Sequence, residues 1–229
     1  MAKYYLIGEL HGTNEASRAC WDIMQINKVS KLALEFPSNY QKEVDEFLKN
    51  KRSIDKISIF NVKHPHDGRA SPAIKKLLLK AKEKAMKVYF VDSDSEDISQ
   101  REKEMTKNIM KIKDKVAFLC GDAHASKKEI HLSKFFRLVF RIINLFSRKY
   151  PKFDKVIKTC GSYLPAKNTI SYRVASLNGG KFYNFKIKSA GKYKFDKENK
   201  FSSLPIIIKS KDSKYDFLYV VEKFTASQL

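Results

Sequence analysis

Short apolar runs alternate with stretches of helical periodicity through the first half of the chain. Tyr4 to Gly8 is apolar and ends at a glycine, the pattern of a strand buried on both faces of a parallel sheet. Asn14 to Gln25 carries apolar positions at helical spacing, with Thr13 or Asn14 as cap and Glu15 in the first turn. Lys31 to Phe36 predicts a second strand, stopped at Pro37, which has no N–H to give a ladder. A helix over Tyr40–Leu48 follows, then an irregular stretch from about 51 to 72 containing His64-Pro65-His66-Asp67-Gly68. Pro72 opens a basic helix running to Lys84, and Lys87–Asp92 reads as a third strand. Ile98–Lys113 predicts a helix, and Lys115–Gly121 a fourth strand.

The pattern then changes. Lys127–Arg148 predicts a long helix whose apolar residues, Phe135 to Phe146, cover most of its circumference. Lys134, Arg137, Arg141 and Arg148 form a single basic stripe along it, which excludes a simple transmembrane span. Such a face suits a packed core, a membrane interface, a dimer interface or a lid. Beyond Pro151, the runs Thr169–Ser176, Lys181–Lys188, Leu204–Lys209 and Asp216–Glu222 are β-type. Asn178-Gly179-Gly180 reads as a hairpin turn joining the first two, and 188–203 as a polar, Lys-rich loop.

Strands alternating with helices predict an α/β fold. The expected architecture is a mainly parallel sheet with helices on both faces, extended by antiparallel edge strands from the C-terminal part. It is read as one domain over 1–229, with 127–150 as the long helix and 151–229 as a strand-rich extension of the same sheet.

Composition refines this picture. An apolar content of 43% fits a folded domain, and 46 basic against 25 acidic residues give a net charge of +21. That excess points to an anionic partner or to a solvated, Lys-rich surface. An anionic membrane surface reached through the 127–150 helix is one such partner. No nucleic-acid-binding motif is visible, so nucleic acid is not expected. Cys20, Cys120 and Cys160 form no CxxC pair, and Cys20 and Cys120 lie in apolar patterns as small buried hydrophobes. With no signal-peptide pattern and no membrane-span pattern, the expected location is the cytoplasm, or outside after export without a cleaved signal. A small-molecule or peptide substrate and a homodimer complete the expected partners.

The chemistry gathers at the strand exits. Glu9 and His11, two positions apart at a strand end, point the same way. Glu35 follows at the second exit, Asp92 at the third, and Asp122 with His124 at the fourth. Ligands of open parallel sheets bind outside these carboxyl ends. A carboxylate beside an imidazole either binds a metal or holds the ring in one tautomer. Glu9, His11 and His124 are therefore candidate ligands of a divalent ion. Arg101, Met105 and Asn108 share one face of the helix before the fourth strand, and Arg101 can reach the cleft. Its guanidinium would either bind a carboxylate or phosphate of a ligand, or pair with Asp92 or Glu35 to fix the loops. His64 and His66 flank a proline in a loop, where they either reach the cleft or stand in solvent.

These segments, taken in order, resemble a known group of enzymes. Gly8-Glu9-Leu10-His11-Gly12-Thr13 is similar to the GExH opening of the erythromycin-esterase, ChaN and TIKI/TraB superfamily. Leu32-Ala33-Leu34-Glu35 resembles its second-strand glutamate motif. Arg101-Glu102 with Met105 and Asn108-Ile109 resembles its R[DE]xxMxxN helix, and Gly121-Asp122-Ala123-His124-Ala125 its closing strand end. The resemblance covers roughly residues 3–126. It implies a cleft lined by Glu9, His11, Glu35, Arg101 and His124, with His11 as base toward water and Glu35 and His124 in support. Esterase members hydrolyse esters, TIKI-like members are metal-dependent peptidases, and ChaN is associated with haem or iron. Many of the esterases carry two residues between the glutamate and the histidine, where Glu9 and His11 are separated by Leu10 alone.

The function expected from these readings is a hydrolase of ester, amide or phosphoester bonds. His11, Glu9, Glu35, His124 and Arg101 would be its catalytic residues. Asp92, Asn108, His64 and His66 would contact substrate, and Mn, Co or Zn would be the metal. A non-catalytic metal- or haem-binding protein, or an interaction module for anionic membranes, stands beside it.

Overall fold

The computed structural model describes residues 2–61, 67–131, 156–195 and 201–227. Its centre is a seven-stranded sheet in the order β10–β11–β7–β1–β4–β2–β3. The strands are β1 (Tyr4–Glu9), β2 (Lys31–Pro37), β3 (Lys87–Asp92), β4 (Val116–Gly121), β7 (Thr169–Ser176), β10 (Ile206–Lys209) and β11 (Phe217–Val221). All neighbouring pairs are parallel except β10 with β11. The expected α/β architecture is present, with an antiparallel edge supplied by the C-terminal part.

That C-terminal part also supplies parallel strands. β7 pairs directly with β1, Tyr5 opposite Ile170 and Ile7 opposite Tyr172, and β11 continues the parallel set. β1 is thereby flanked on both sides, which explains why every one of its residues is buried.

Alternation along the strands divides the core into two layers. Tyr5, Ile7, Leu32 and Leu34 pack with Ile23, Leu77 and Leu78 of helices α1 (Asn14–Ile26) and α3 (Pro72–Glu83). Val44 and Phe47 of α2 (Gln41–Leu48) join that layer. On the other face Tyr4, Leu6, Ala33 and Phe118 pack with Met105 and Ile109 of α4 (Ile98–Met110). Two short helices, α5 (Asp122–Ala125) and α6 (Cys160–Tyr163), close this side. Cys20, Cys120 and Cys160 are all buried free thiols.

At the β3 edge, the Gln41 side chain takes the place of a neighbouring strand. Its Nε2 donates to Val88 O at 2.9 Å, and its Oε1 accepts from Phe90 N at 2.7 Å.

Two expectations are corrected. Asn178-Gly179-Gly180 does not fold β7 back onto the next strand. Instead β8 (Gly180–Asn184) pairs with β9 (Lys186–Ala190) in a separate two-stranded sheet, the chain reversing at Phe185 with φ 59°. A lone non-glycine residue with positive φ carries no turn signature, so Lys181–Lys188 read as one continuous run. The helix expected from Lys127 does not begin there. Ile130–His131 form β5, antiparallel to β6 (Val156–Ile157), because Ser126 leaves the helical region at ψ 129°. Residues 132–150 of that expected helix, with its basic stripe, lie outside the described residues. No helix among the described residues is long and apolar enough to cross a membrane.

Candidate functional site

The parallel order brings the exits of β1, β2, β3 and β4 to one end of the sheet, and the polar residues meet there. Glu9, Glu35, Asp92 and Glu102 are each at most 6% exposed, so each needs a partner. At the centre is Glu35. Its Oε2 accepts the Gly121 N–H at 2.7 Å, and its Oε1 lies 2.9 Å from an Arg101 Nη and 3.4 Å from an Arg69 Nη. Asp92 takes the other donors of Arg101, with 2.7 Å from Nε to Oδ1, and lies 3.2 Å from Arg69. Arg69 is held in turn by Asp67, Nε to Oδ2 at 2.7 Å.

Two histidines converge on this carboxylate, each backed by another acid. His11 Nδ1 is 2.9 Å from Glu9 Oε1, and its Nε2 is 3.6 Å from Glu35 Oε2, beyond hydrogen-bond reach. His124 Nδ1 is 2.5 Å from Glu102 Oε1, and its Nε2 is 3.3 Å from Glu35 Oε1. His124 is therefore clasped by carboxylates on both nitrogens, while His11 is clasped on one. Gly121 leaves the space between them open. A Cβ there would come 3.0 Å from His11 Nε2 and 3.4 Å from His124 Cδ2.

Charge follows from this packing. Burial lowers the His124 pKa, but the Glu35 charge and the Glu102 hydrogen bond outweigh it and push it up to about 10. Burial likewise lowers His11, and Glu35 and Glu9 reverse the sign to a net upward shift. Burial pushes Glu35 up, whereas His124, His11 and Arg69 hold it well below the usual carboxylate range. Four buried carboxylates face two guanidiniums, an excess of acid that favours a proton on the imidazoles between them.

Of the residues anticipated from the sequence, Glu9, His11, Glu35, Asp92, Arg101 and His124 are brought together. Arg101 takes the pairing alternative: its guanidinium is committed to Asp92 and Glu35. Asn108 stands apart, its amide donating to Val91 O at 3.1 Å and fixing the end of β3 rather than facing the cleft. His64 and His66 lie outside the described residues. Two contributors were not anticipated, Arg69 and Glu102. Arg69 follows a loop signature, and Glu102 lies in a Lys-rich helix where an acid reads as a solvated charge. Glu102 stood within the R[DE]xxMxxN resemblance, which was the one signal for it.

Of the three candidate metal ligands, Glu9 and His11 are bonded to each other and His124 lies between Glu102 and Glu35. Glu9 is spent behind His11, on Nδ1, and Glu35 already accepts the Gly121 N–H and the Arg101 guanidinium. Among the described residues, no three His, Cys, Asp or Glu side chains are placed to hold an ion.

Beside the cluster lies a cavity of about 280 Å³, lined among others by Leu10, Asp122, Arg173, Ser176 and Tyr193. Asp122 Oδ2 pairs with Arg173 at 2.9 Å, and the arginine is flanked by the Tyr193 and Tyr215 rings, 5.4 and 5.6 Å away. Asp122 Oδ1 is buried without a hydrogen-bond partner among the described residues, and burial raises that carboxyl's pKa.

No family model matches the chain, and no curated protein matches it. A crystal structure of a Bacillus cereus protein shares the fold, with a TM-score of 0.63 at 11% identity, over 99% of this chain and 90% of that one. At that identity the likeness concerns the fold alone.

Proposed function

We propose that the cleft is the active centre of a hydrolase cleaving an ester, amide or phosphoester bond, with the imidazoles of His11 and His124 in different roles. The observation carrying this reading is their unequal clasp. His124, with carboxylates at 2.5 and 3.3 Å on its two nitrogens, is held as an imidazolium. His11, with Glu9 on Nδ1 and nothing within hydrogen-bond reach at Glu35, keeps Nε2 for a water.

In this scheme Glu9 accepts the Nδ1–H of His11 and fixes the tautomer that makes Nε2 basic. Nε2 takes a proton from water, and the hydroxide adds to the acyl or phosphoryl centre. The His124 imidazolium gives a proton to the departing oxygen or nitrogen, so the elements of water are divided across the broken bond. Solvent exchange then returns both imidazoles to their starting states. Arg101 and Arg69 act through Glu35, holding its charge between the two rings, rather than on the substrate. The cavity next to Leu10 and Asp122 offers the adjoining space for a substrate group. Membership of the erythromycin-esterase, ChaN and TIKI/TraB superfamily is part of the proposal, and the four ordered motifs support it. The scheme routes no step through a metal; among the described residues no three His, Cys, Asp or Glu side chains are placed to hold one.

The test is turnover of a panel of activated esters, anilides and phosphoesters, with chelator and with added Mn, Co or Zn. His11→Ala is expected to lower the rate by about 10²–10⁴-fold with an unchanged circular dichroism spectrum. Equal turnover by His11→Ala, or none by the native protein under any metal condition, overturns the reading.

A further inference from the structure

We infer that the β8–β9 hairpin is a docking element for an anionic lipid surface. The hairpin stands outside the main sheet and is attached along one edge only. Tyr183 N donates to Gly12 O at 3.0 Å and Lys181 N to Phe224 O at 2.9 Å, so β8 faces the body and β9 is the outer strand. Phe185 at the bend and Ile187 beside it are 57% and 48% exposed. Lys181, Lys186 and Lys188 around them are exposed as well. From Leu177 to Phe195 the chain holds five lysines and no acidic residue.

This combination selects the partner. Two apolar side chains at a protruding bend enter the boundary of a bilayer, and the lysines meet anionic headgroups at the same depth. A protein interface draws on a broader apolar patch, and single-stranded nucleic acid on successive exposed aromatic platforms. Phe185 is the hairpin's one exposed aromatic ring, since Phe182 and Tyr183 are only partly exposed. Because Tyr183 is seated on Gly12, the residue after His11, docking would bring the loop bearing His11 to the membrane side. The inference is independent of the hydrolase reading and uses no activity measurement.

The experiment is cosedimentation of the full chain with phosphatidylcholine vesicles, with and without phosphatidylserine. Binding is expected only to the anionic vesicles and is expected to fall as salt is added. The double variants F185S/I187S and K186E/K188E are each expected to reduce the partition coefficient about tenfold or more while remaining folded by circular dichroism. Undiminished binding by both variants overturns the inference, as does failure of the native chain to bind. Binding lost in R137E/R141E but retained in the hairpin variants assigns the contact to the segment after His131 and also overturns it. Saturable binding to a single-stranded RNA oligomer with no vesicle binding replaces lipid with nucleic acid.

Discussion

Glu102 and His124 meet with Oε1 and Nδ1 2.5 Å apart, and the second oxygen of the same carboxylate takes the Cys160 N–H at 2.6 Å. One side chain on α4 therefore sets the ring that follows β4 and the start of α6. Glu102→Gln removes the charge while keeping the shape. The His124 pKa should fall from about 10 toward its ordinary value of 6.5, and folding should weaken by about 1–3 kcal/mol. Histidine NMR titration and urea unfolding measure the two effects, and an unmoved His124 titration would refute the assigned role of Glu102.

Between about pH 6.5 and 10 activity and stability should respond to pH in opposite directions. A His11 base must be unprotonated, and its pKa is raised from the ordinary 6.5, so turnover should rise as pH climbs above that value. Turnover should decline again as His124 loses its proton near pH 10. The stability that His124 contributes is fully present below about pH 6.5 and is lost as pH climbs through its folded value of about 10. Glu35 works the other way, since its depressed pKa contributes stability above 4.5 that is lost as acid reprotonates it. A pH–rate profile beside a pH series of denaturation midpoints tests both signs.

Arg101→Ala should be severely destabilising. It leaves Asp92 and Glu35, 2% and 5% exposed, with one guanidinium between them. Breaking a buried pair from one side costs about 3–5 kcal/mol, and the partial exposure of Arg101 places the expected loss near the lower figure. Each kcal/mol lowers the melting temperature of a chain this size by about 2–4 °C, which calorimetry resolves. A melting point within a degree of native would show that solvent compensates these acids.

Gly121→Ala should cost catalysis more than folding. The backbone at Gly121, φ −54° and ψ 146°, accepts alanine without strain. The new methyl would stand 3.0 Å from His11 Nε2 and 3.5 Å from Glu35 Oε2, in the space assigned to the attacking water. The expected result is at least about a tenfold loss of turnover with a stability loss of about 1–3 kcal/mol at most, as the His11 ring shifts to admit the methyl. Native turnover in this variant would place the water elsewhere.

The three thiols should resist modification. Cys20, Cys120 and Cys160 are 0% exposed, and burial raises the pKa of each. Ellman's reagent should find no reactive thiol until denaturant is added, and reaction of any one in the native protein would reveal local opening around it.

How much of this was legible in the chain depended on how local each signal was. The first four strands, the helices between them, and the polar residue at each exit follow from period and punctuation alone. Glu35 could be placed at an exit, but its five neighbours come from β4, α4, α5, the loop before α3 and the turn after β1. Glu102 shows the limit clearly. Its helix carries Lys103 and Lys107 nearby, and apart from the motif resemblance it is packing that shows this one acid turning inward. β7 reads as a half-buried edge because its partner β1 is some 165 residues away in the chain. Pairing over that distance leaves no trace in local periodicity.

The amide of Gln41 has a consequence for how copies of this protein coexist. An uncovered parallel edge offers a row of peptide groups to any other extended chain. Here two of the groups on β3, Val88 O and Phe90 N, are already satisfied from within. A single glutamine thus occupies part of this edge, and a strand from another copy could add there only by displacing it.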